Sequence, residues 1–139
     1  MDKQLQEQIT DLIDENRDII VCSVDENGFP NAKAMFKTEH EGLKTFLFST
    51  NTSSMRVQQF MRNPKASIYL CGKSKINGLM LVGRMEVCSD RELKARLWAD
   101  GCEQYYPLGI DDPDYCVLRF VAERGKYYYN LRSHQVDIE

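Results

Sequence analysis

Leu5, Ile9, Leu12 and Ile13 recur at i, i+4, i+7 and i+8 with Gln, Asp and Glu between them, the stripe of an amphipathic helix. The pattern predicts a helix over residues 2–15, inside an N-terminal helical segment 1–17. Residues 19–24 are short and β-branched, and Asp25-Glu26-Asn27-Gly28 follows; Asn-Gly between apolar runs is a strong hairpin signal. A return strand is predicted over 32–38. Glu39-His40-Glu41-Gly42 reads as a turn into a third strand at 43–49, completing an antiparallel meander. Ser53-Ser54 then caps a two-turn helix with Val57, Phe60 and Met61 on one side, and Asn63-Pro64 stops it. Strands at 66–70 and 79–88 flank a loop ending in Asn77-Gly78, and the interior Gly83 predicts a bulge or a close backbone approach. Ser89-Asp90 opens a third helix carrying Leu93, Leu97 and Trp98. After a loop from Tyr105 to Asp114, strands at 115–121 and 126–131 are joined by a turn at Arg124-Gly125, and residues 133–139 read as a frayed tail.

Seven short strands with three helices, and no strand-helix-strand alternation, predict a mainly β fold: a small closed or split antiparallel β-barrel with added helices. A barrel this small leaves an edge or face to cover, so a homodimer is expected.

Composition narrows the classes. At 139 residues, 42% hydrophobic and 28% charged, the chain suits one globular domain, 1–139. The longest uncharged stretch, residues 45–55, is far short of the roughly 20 residues of a membrane-spanning helix, so no membrane association is expected. The polar, acidic start lacks the marks of a secretory or transit segment, which predicts a cytoplasmic protein. The five cysteines are odd in number with no close pair, which predicts free thiols rather than a disulfide framework or a CxxC site. A net charge of -3 without a Lys/Arg cluster argues against nucleic acid.

The chemistry-bearing stretch is Phe48-Ser49-Thr50-Asn51-Thr52-Ser53-Ser54-Met55-Arg56. Hydroxyls and an Asn end an apolar strand and open a helix, offering unpaired N–H groups, the positive end of the helix dipole and a guanidinium, a combination that suits a phosphate. The same residues also make an ordinary Ser/Thr-rich turn with an N-cap serine, the commoner use of such a stretch. Lys33 shares a strand face with Met35, while Ala34 and Phe36 share the other. An anionic ligand along that face would explain the lysine, as would an edge-strand lysine that blocks aggregation. His40 and His134 have no partner at metal-ligand spacing, so no metal is expected. Asp111, Asp112 and Asp114, in a Pro/Gly loop, read as turn caps. Alternation in Tyr127-Tyr128-Tyr129 sends Tyr128 to one face and its neighbours to the other.

Together, Asn27-Gly28-Phe29-Pro30 leading to Lys33-Ala34-Met35, Phe48-Ser49-Thr50-Asn51, Ser54-Met55-Arg56-Val57-Gln58-Gln59-Phe60, Asn63-Pro64-Lys65-Ala66, Leu81-Val82-Gly83-Arg84-Met85 and Tyr106-Pro107-Leu108-Gly109-Ile110-Asp111-Asp112-Pro113 resemble, in this order, the pyridoxamine 5'-phosphate oxidase-like family of FMN-binding split barrels, above all its short general-stress-protein members. The resemblance covers about Ile19 to Leu131. It implies a homodimer with FMN at the interface. Lys33 would stand where the family has an Arg facing the FMN phosphate. Ala34, Met35 and Phe36 would lie along the isoalloxazine ring, with Ser49, Thr50 and Asn51 beside the flavin. Ser54, Met55 and Arg56 match a Ser-Arg-Lys phosphate clamp, and Arg132 with His134 resembles a terminal Arg-x-His element of the true oxidases.

The departures carry expectations too. Met55-Arg56 replaces two successive cations, which removes one charge-assisted phosphate contact and implies weaker FMN binding. Thr38 stands where the true oxidases place a substrate-contacting Lys, and the flavin-contacting Gln is replaced near Asn77-Gly78, which argues against vitamin B6 oxidation. The resemblance implies an oxidoreductase passing hydride or electrons between NADH or NADPH and a small molecule. A non-catalytic flavin- or haem-binding stress or sensor protein is the alternative, and a ligand-free interaction module the third reading.

Overall fold

The computed structural model describes residues 2–138; Met1 and Glu139, the outermost positions of the segments 1–17 and 133–139, lie outside the described residues. Helix α1 (Lys3–Glu15) starts where the Asp2 carboxylate accepts the Leu5 N–H at 2.7 Å, and it buries Ile9, Leu12 and Ile13. At its other end the Asn16 amide donates to the Leu12 carbonyl at 2.8 Å and the Cys71 carbonyl at 3.2 Å, and Lys37 Nζ donates to the Ile13 carbonyl at 2.8 Å. The carbonyls left over at a helix C-terminus are thus met by side chains that also tie the helix to the sheet.

Strands β1 (Asp18–Val24) and β2 (Pro30–Phe36) form the predicted hairpin, with Val24 opposite Pro30. The Asp25 carboxylate accepts the N–H groups of Asn27 and Phe29, each at 2.9 Å, and Gly28 takes the left-handed φ of +84° that the turn needs. There follow β3 (Glu39–Glu41), β4 (Thr45–Asn51), α2 (Met55–Arg62), β5 (Lys65–Cys71), β6 (Asn77–Cys88), α3 (Arg91–Leu97), two 3₁₀ turns, β7 (Tyr115–Tyr129) and β8 (Arg132–Val136). The order across the sheet is β2-β1-β5-β6-β7-β4-β3, every pair antiparallel, with β8 also on β7. The sheet curls into a half-barrel.

Its concave face holds the main core, in which Ile19, Val21, Phe46, Phe48, Ile68, Leu79, Leu81, Leu118, Phe120 and Tyr127 pack against α1 and against Val57 and Phe60 of α2. A second, smaller core lies on the opposite face, where Leu93 and Leu97 of α3 cover Leu47, Cys88 and Val117. Elsewhere that convex face is uncovered: Ile20 pairs with Tyr69 and Tyr69 with Met80 across β1, β5 and β6, and all three side chains are exposed, as is Tyr128.

Several predicted elements change. The third strand of the meander pairs with β7 and β3 instead of β2, and the turn at Glu39–Glu41 is itself the short strand β3. The turn at Arg124-Gly125 is absent, because β7 runs unbroken from Tyr115 to Tyr129. The tail 133–139 is not frayed over its first residues: β8 pairs Arg132 with Tyr129 and Val136 with Gly125, and Val136 is buried. The bulge at Gly83 is present. Val82 faces Arg124 and Gly83 faces Ala122, so Glu123 is the extra residue. A Cβ on Gly83 would stand 2.0 Å from the Val121 carbonyl oxygen, so only glycine fits.

Candidate functional site

Because β2 is an edge strand, its side chains border an open seam. A groove of about 410 Å³ runs there, lined by Asp18, Lys33, Ala34, Met35, Phe36 and Ser49. The register sets Met35 against Ile19 and turns it into the core, while Ala34 and Phe36 stay exposed. Lys33 has no ion-pair partner among the described residues. Phe36 lies under the Arg17 guanidinium, 5.6 Å from its ring centre. Groove size and mixed polarity suit a small ligand with a flat apolar body.

Ser49 closes one end of the groove and is held from behind. Its N–H donates to Thr38 Oγ1 at 3.3 Å, and its hydroxyl faces that of Tyr115 at 3.5 Å. Tyr115 is fixed in turn by Trp98 edge-on at 5.2 Å, by Tyr106 at 4.9 Å, and by donation from its hydroxyl to the Lys94 carbonyl at 3.1 Å. Burial, reinforced by the Asp114 charge, pushes the Tyr106 phenol up to about 12. This aromatic wall and Asp18 carried no signal in the sequence, since neither the cross-strand position of Asp18 nor the meeting of residues 98, 106 and 115 is local.

From Ser49 the chain continues through Thr50 and Asn51, opposite Cys116 and Tyr115, into the hydroxyl-rich loop. Much of that loop is already committed. The Thr52 hydroxyl donates to the Pro113 carbonyl at 3.1 Å, and the Asp114 carboxylate accepts the Ser53 N–H at 2.8 Å and the Ser53 hydroxyl at 3.2 Å. Asn51 donates its amide to Ser53 Oγ at 2.9 Å. Asp114 and Asp112 are thus structural caps, the latter accepting the N–H groups of Leu108 at 3.2 Å and Asp114 at 3.0 Å. Asp111 pairs with Arg91 at 2.9 Å.

What remains open is the start of α2. Ser54 is the N-cap, accepting the Val57 N–H at 3.3 Å, which leaves its own proton and the first-turn N–H groups of Met55 and Arg56 to point outward. Beside them Arg56 Nε is buried without a hydrogen-bond partner, and burial pulls the guanidinium below its ordinary value. A buried guanidinium N–H with no acceptor is costly. An anion at this helix terminus would supply what it lacks. Met55, by contrast, is exposed.

Arg132 is not brought to this place within the chain. It faces Tyr129 while Asn51 faces Tyr115, and those two ends of β7 are separated by on the order of 45 Å of strand. His134 faces Tyr127 in the same distant region, and His40 sits in β3 against the Gly42 carbonyl at 3.0 Å.

An antiparallel half-barrel with a groove along its edge strand β2 and a helix start whose arginine Nε lacks a partner defines a split-barrel protein. The chain belongs to the pyridoxamine 5'-phosphate oxidase family, whose family model matches residues 5–129. Among solved structures it is similar to a protein from Clostridium acetobutylicum related to general stress protein 26 of B. subtilis and described as of the pyridoxinephosphate oxidase family: 45% identity, TM-score 0.88, covering 99% of this chain and 97% of that one. General stress protein 26 from Bacillus anthracis is similar in fold, with 21% identity, TM-score 0.76 and 96% and 99% of the two chains covered. So is a heme binding protein from Mycobacterium smegmatis, with 18% identity, TM-score 0.77 and 98% and 59% covered. No curated protein matches the chain. Among the described residues no helix is long and apolar enough to cross a membrane.

Proposed function

We propose that the protein is an FMN-binding oxidoreductase, active as a cytoplasmic homodimer, that passes hydride or electrons between NADH or NADPH and a small molecule. The observation that carries the cofactor reading is the buried, partnerless Nε of Arg56 at the start of α2, which fits a phosphate monoester. Ser54, the first-turn N–H groups of α2 and Arg56 would hold the phosphate, with Lys33 contributing its charge from β2. Ala34, Met35 and Phe36 would lie along the ring system, and Ser49, Thr50 and Asn51 beside it. Bound there, the flavin supplies the two-electron chemistry. The chain's own contribution is to orient the ring against the edge of β2 and to keep its phosphate fixed.

Two features support a dimer. Arg132 lies by one end of β7 and the approach to α2 by the other, so a second subunit is the route by which Arg132 would join the site. The exposed row Ile20, Tyr69 and Met80 with Tyr128 is an apolar sheet face that a partner would cover.

An absorption spectrum of the purified protein before and after FMN titration tests the reading. Twin flavin bands and quenched flavin fluorescence, with weaker binding of riboflavin, are expected; NADH or NADPH turnover with a dye acceptor then tests the activity. Strictly additive spectra would sink the cofactor assignment, and a Soret band in the isolated protein would favour the haem alternative. Lys33→Ala should weaken FMN more than riboflavin; equal losses would remove Lys33 from the phosphate.

A further inference from the structure

Helix α2 is short, eight residues, so its own hydrogen bonds do little to fix where it points, and its direction must come from what it packs on. Val57 and Phe60 enter the main core, but apolar contacts are non-directional. Three polar side-chain contacts add direction: Gln58 donates its amide to the Thr52 carbonyl at 3.1 Å in the loop just ahead of the helix, and the other two go to the β1–β2 hairpin. At the exposed end Arg62 meets Glu26 at 3.3 Å, with both side chains more than half solvent-exposed, a pair of little energetic weight. Under the helix, the Ser23 hydroxyl donates to Gln59 Oε1, and both residues are buried. A buried polar pair of this kind is costly to break and directional when made.

The placement of this pair matters. Gln59 lies three residues after Arg56, one helical turn along, and so on nearly the same side of α2. Ser23 lies on β1 opposite Asn31 of β2, and Val21, two residues earlier, is opposite Lys33. The Ser23–Gln59 bond therefore joins the element that carries the half-buried Arg56, with its partnerless Nε, to the hairpin that carries Lys33, which has no ion-pair partner among the described residues. We infer that Ser23 and Gln59 are positioning residues for ligand selection. They set the spacing between Arg56 and Lys33, and so determine whether the groove prefers a phosphorylated ring ligand over its unphosphorylated form. This inference rests on the flavin phosphate reading above.

The test is a double-mutant cycle with Gln59→Met and Ser23→Ala. Kd is measured by fluorescence for FMN and for riboflavin, alongside circular dichroism and urea melts of the ligand-free protein. Wild type is expected to prefer FMN. Each single variant should reduce that preference by about tenfold, the scale of one weakened charged hydrogen bond, with riboflavin affinity nearly unchanged. The double variant should lose no more preference than either single one, because the same tether is cut in all three. Stability should behave differently: the single variants leave a buried polar group without its partner, and the double variant regains part of the loss. A purely structural pair would move stability without moving the FMN to riboflavin ratio, so folded variants that keep the ratio overturn the inference while leaving the flavin reading intact. A wild type that binds both ligands equally would overturn the phosphate reading and this inference with it. Should Gln59→Met fail to fold, Ser23→Ala and the double variant give the same decision.

Discussion

Replacing Arg56 by Met separates stability from binding in a way that few substitutions would. The guanidinium Nε is buried without an acceptor, and leaving such a group unsatisfied costs about 1–3 kcal/mol. Methionine keeps much of the aliphatic stem and removes the donor, so ligand-free Arg56→Met should be as stable as wild type or more so, by up to about 1–2 kcal/mol after some packing loss. The phosphate contact goes the other way. A hydrogen bond to a charged group contributes about 1.5–3 kcal/mol, so FMN should bind roughly 10- to 150-fold more weakly, whereas riboflavin should change little. Urea denaturation of the ligand-free protein gives the first quantity, and fluorescence titration with both flavins the second. The reasoning is refuted if the variant is clearly destabilised, which would mean that Arg56 has a structural partner, or if FMN and riboflavin weaken in parallel.

Other consequences are equally direct. Gly83→Ala places a Cβ against the Val121 carbonyl and the Ala122 Cα, at 2.0 and 2.9 Å; because backbone has to move in the central β6–β7 pair, a loss of about 2–4 kcal/mol is expected in urea melts, and a loss below 0.5 kcal/mol would show that the bulge absorbs the methyl. Met80→Asp puts a charge into the exposed row beside Tyr69 and should shift the light-scattering mass from dimer to monomer with the circular dichroism unchanged; an unaltered mass excludes this face. Burial and the neighbouring Glu86 push the Cys88 thiol up to about 11, and burial with Asp114 pushes the Tyr106 phenol up to about 12. Both groups keep their protons in the folded state at pH values where the unfolded chain releases them, so this stability is complete below pH 9 and is lost as pH rises toward 11–12. Cys88→Ala should flatten the alkaline slope, and an identical slope would remove Cys88 as a cause.

What could be read from the sequence was local. Asn27-Gly28 set the first hairpin because turn chemistry acts within four residues, and the stripe Leu5, Ile9, Leu12 and Ile13 set α1. Gly83 announced its bulge because only a missing Cβ permits that approach. Alternation also set Tyr128 on the face opposite Tyr127 and Tyr129, since period two separates neighbours, and the structure puts Tyr127 inside and Tyr128 outside. It does not fix a partner, which is why 43–49 could be taken as the third strand of a meander when its mates are β7 and β3. Gly125 read as a turn for a related reason: a glycine that makes room for packing looks the same in sequence as one that bends the chain, and a Cβ there would meet Leu81 Cδ2 at 2.5 Å and Val136 Cγ2 at 2.8 Å. In the site, the Ser54 cap and the cation at Arg56 were visible because they sit within one helical turn. The engagement of Thr52 and Ser53 by residues 113 and 114, some 61 positions away, was not.

That last engagement bears on how a ligand arrives. The carboxylate of Asp114 accepts both Ser53 donors, so the loop ahead of α2 is shaped by the chain's own contacts in the ligand-free protein. In the proposed reading, association would have less loop to order and would forfeit less conformational entropy. In the proposed flavin reading, the turn would then be formed before the phosphate arrives.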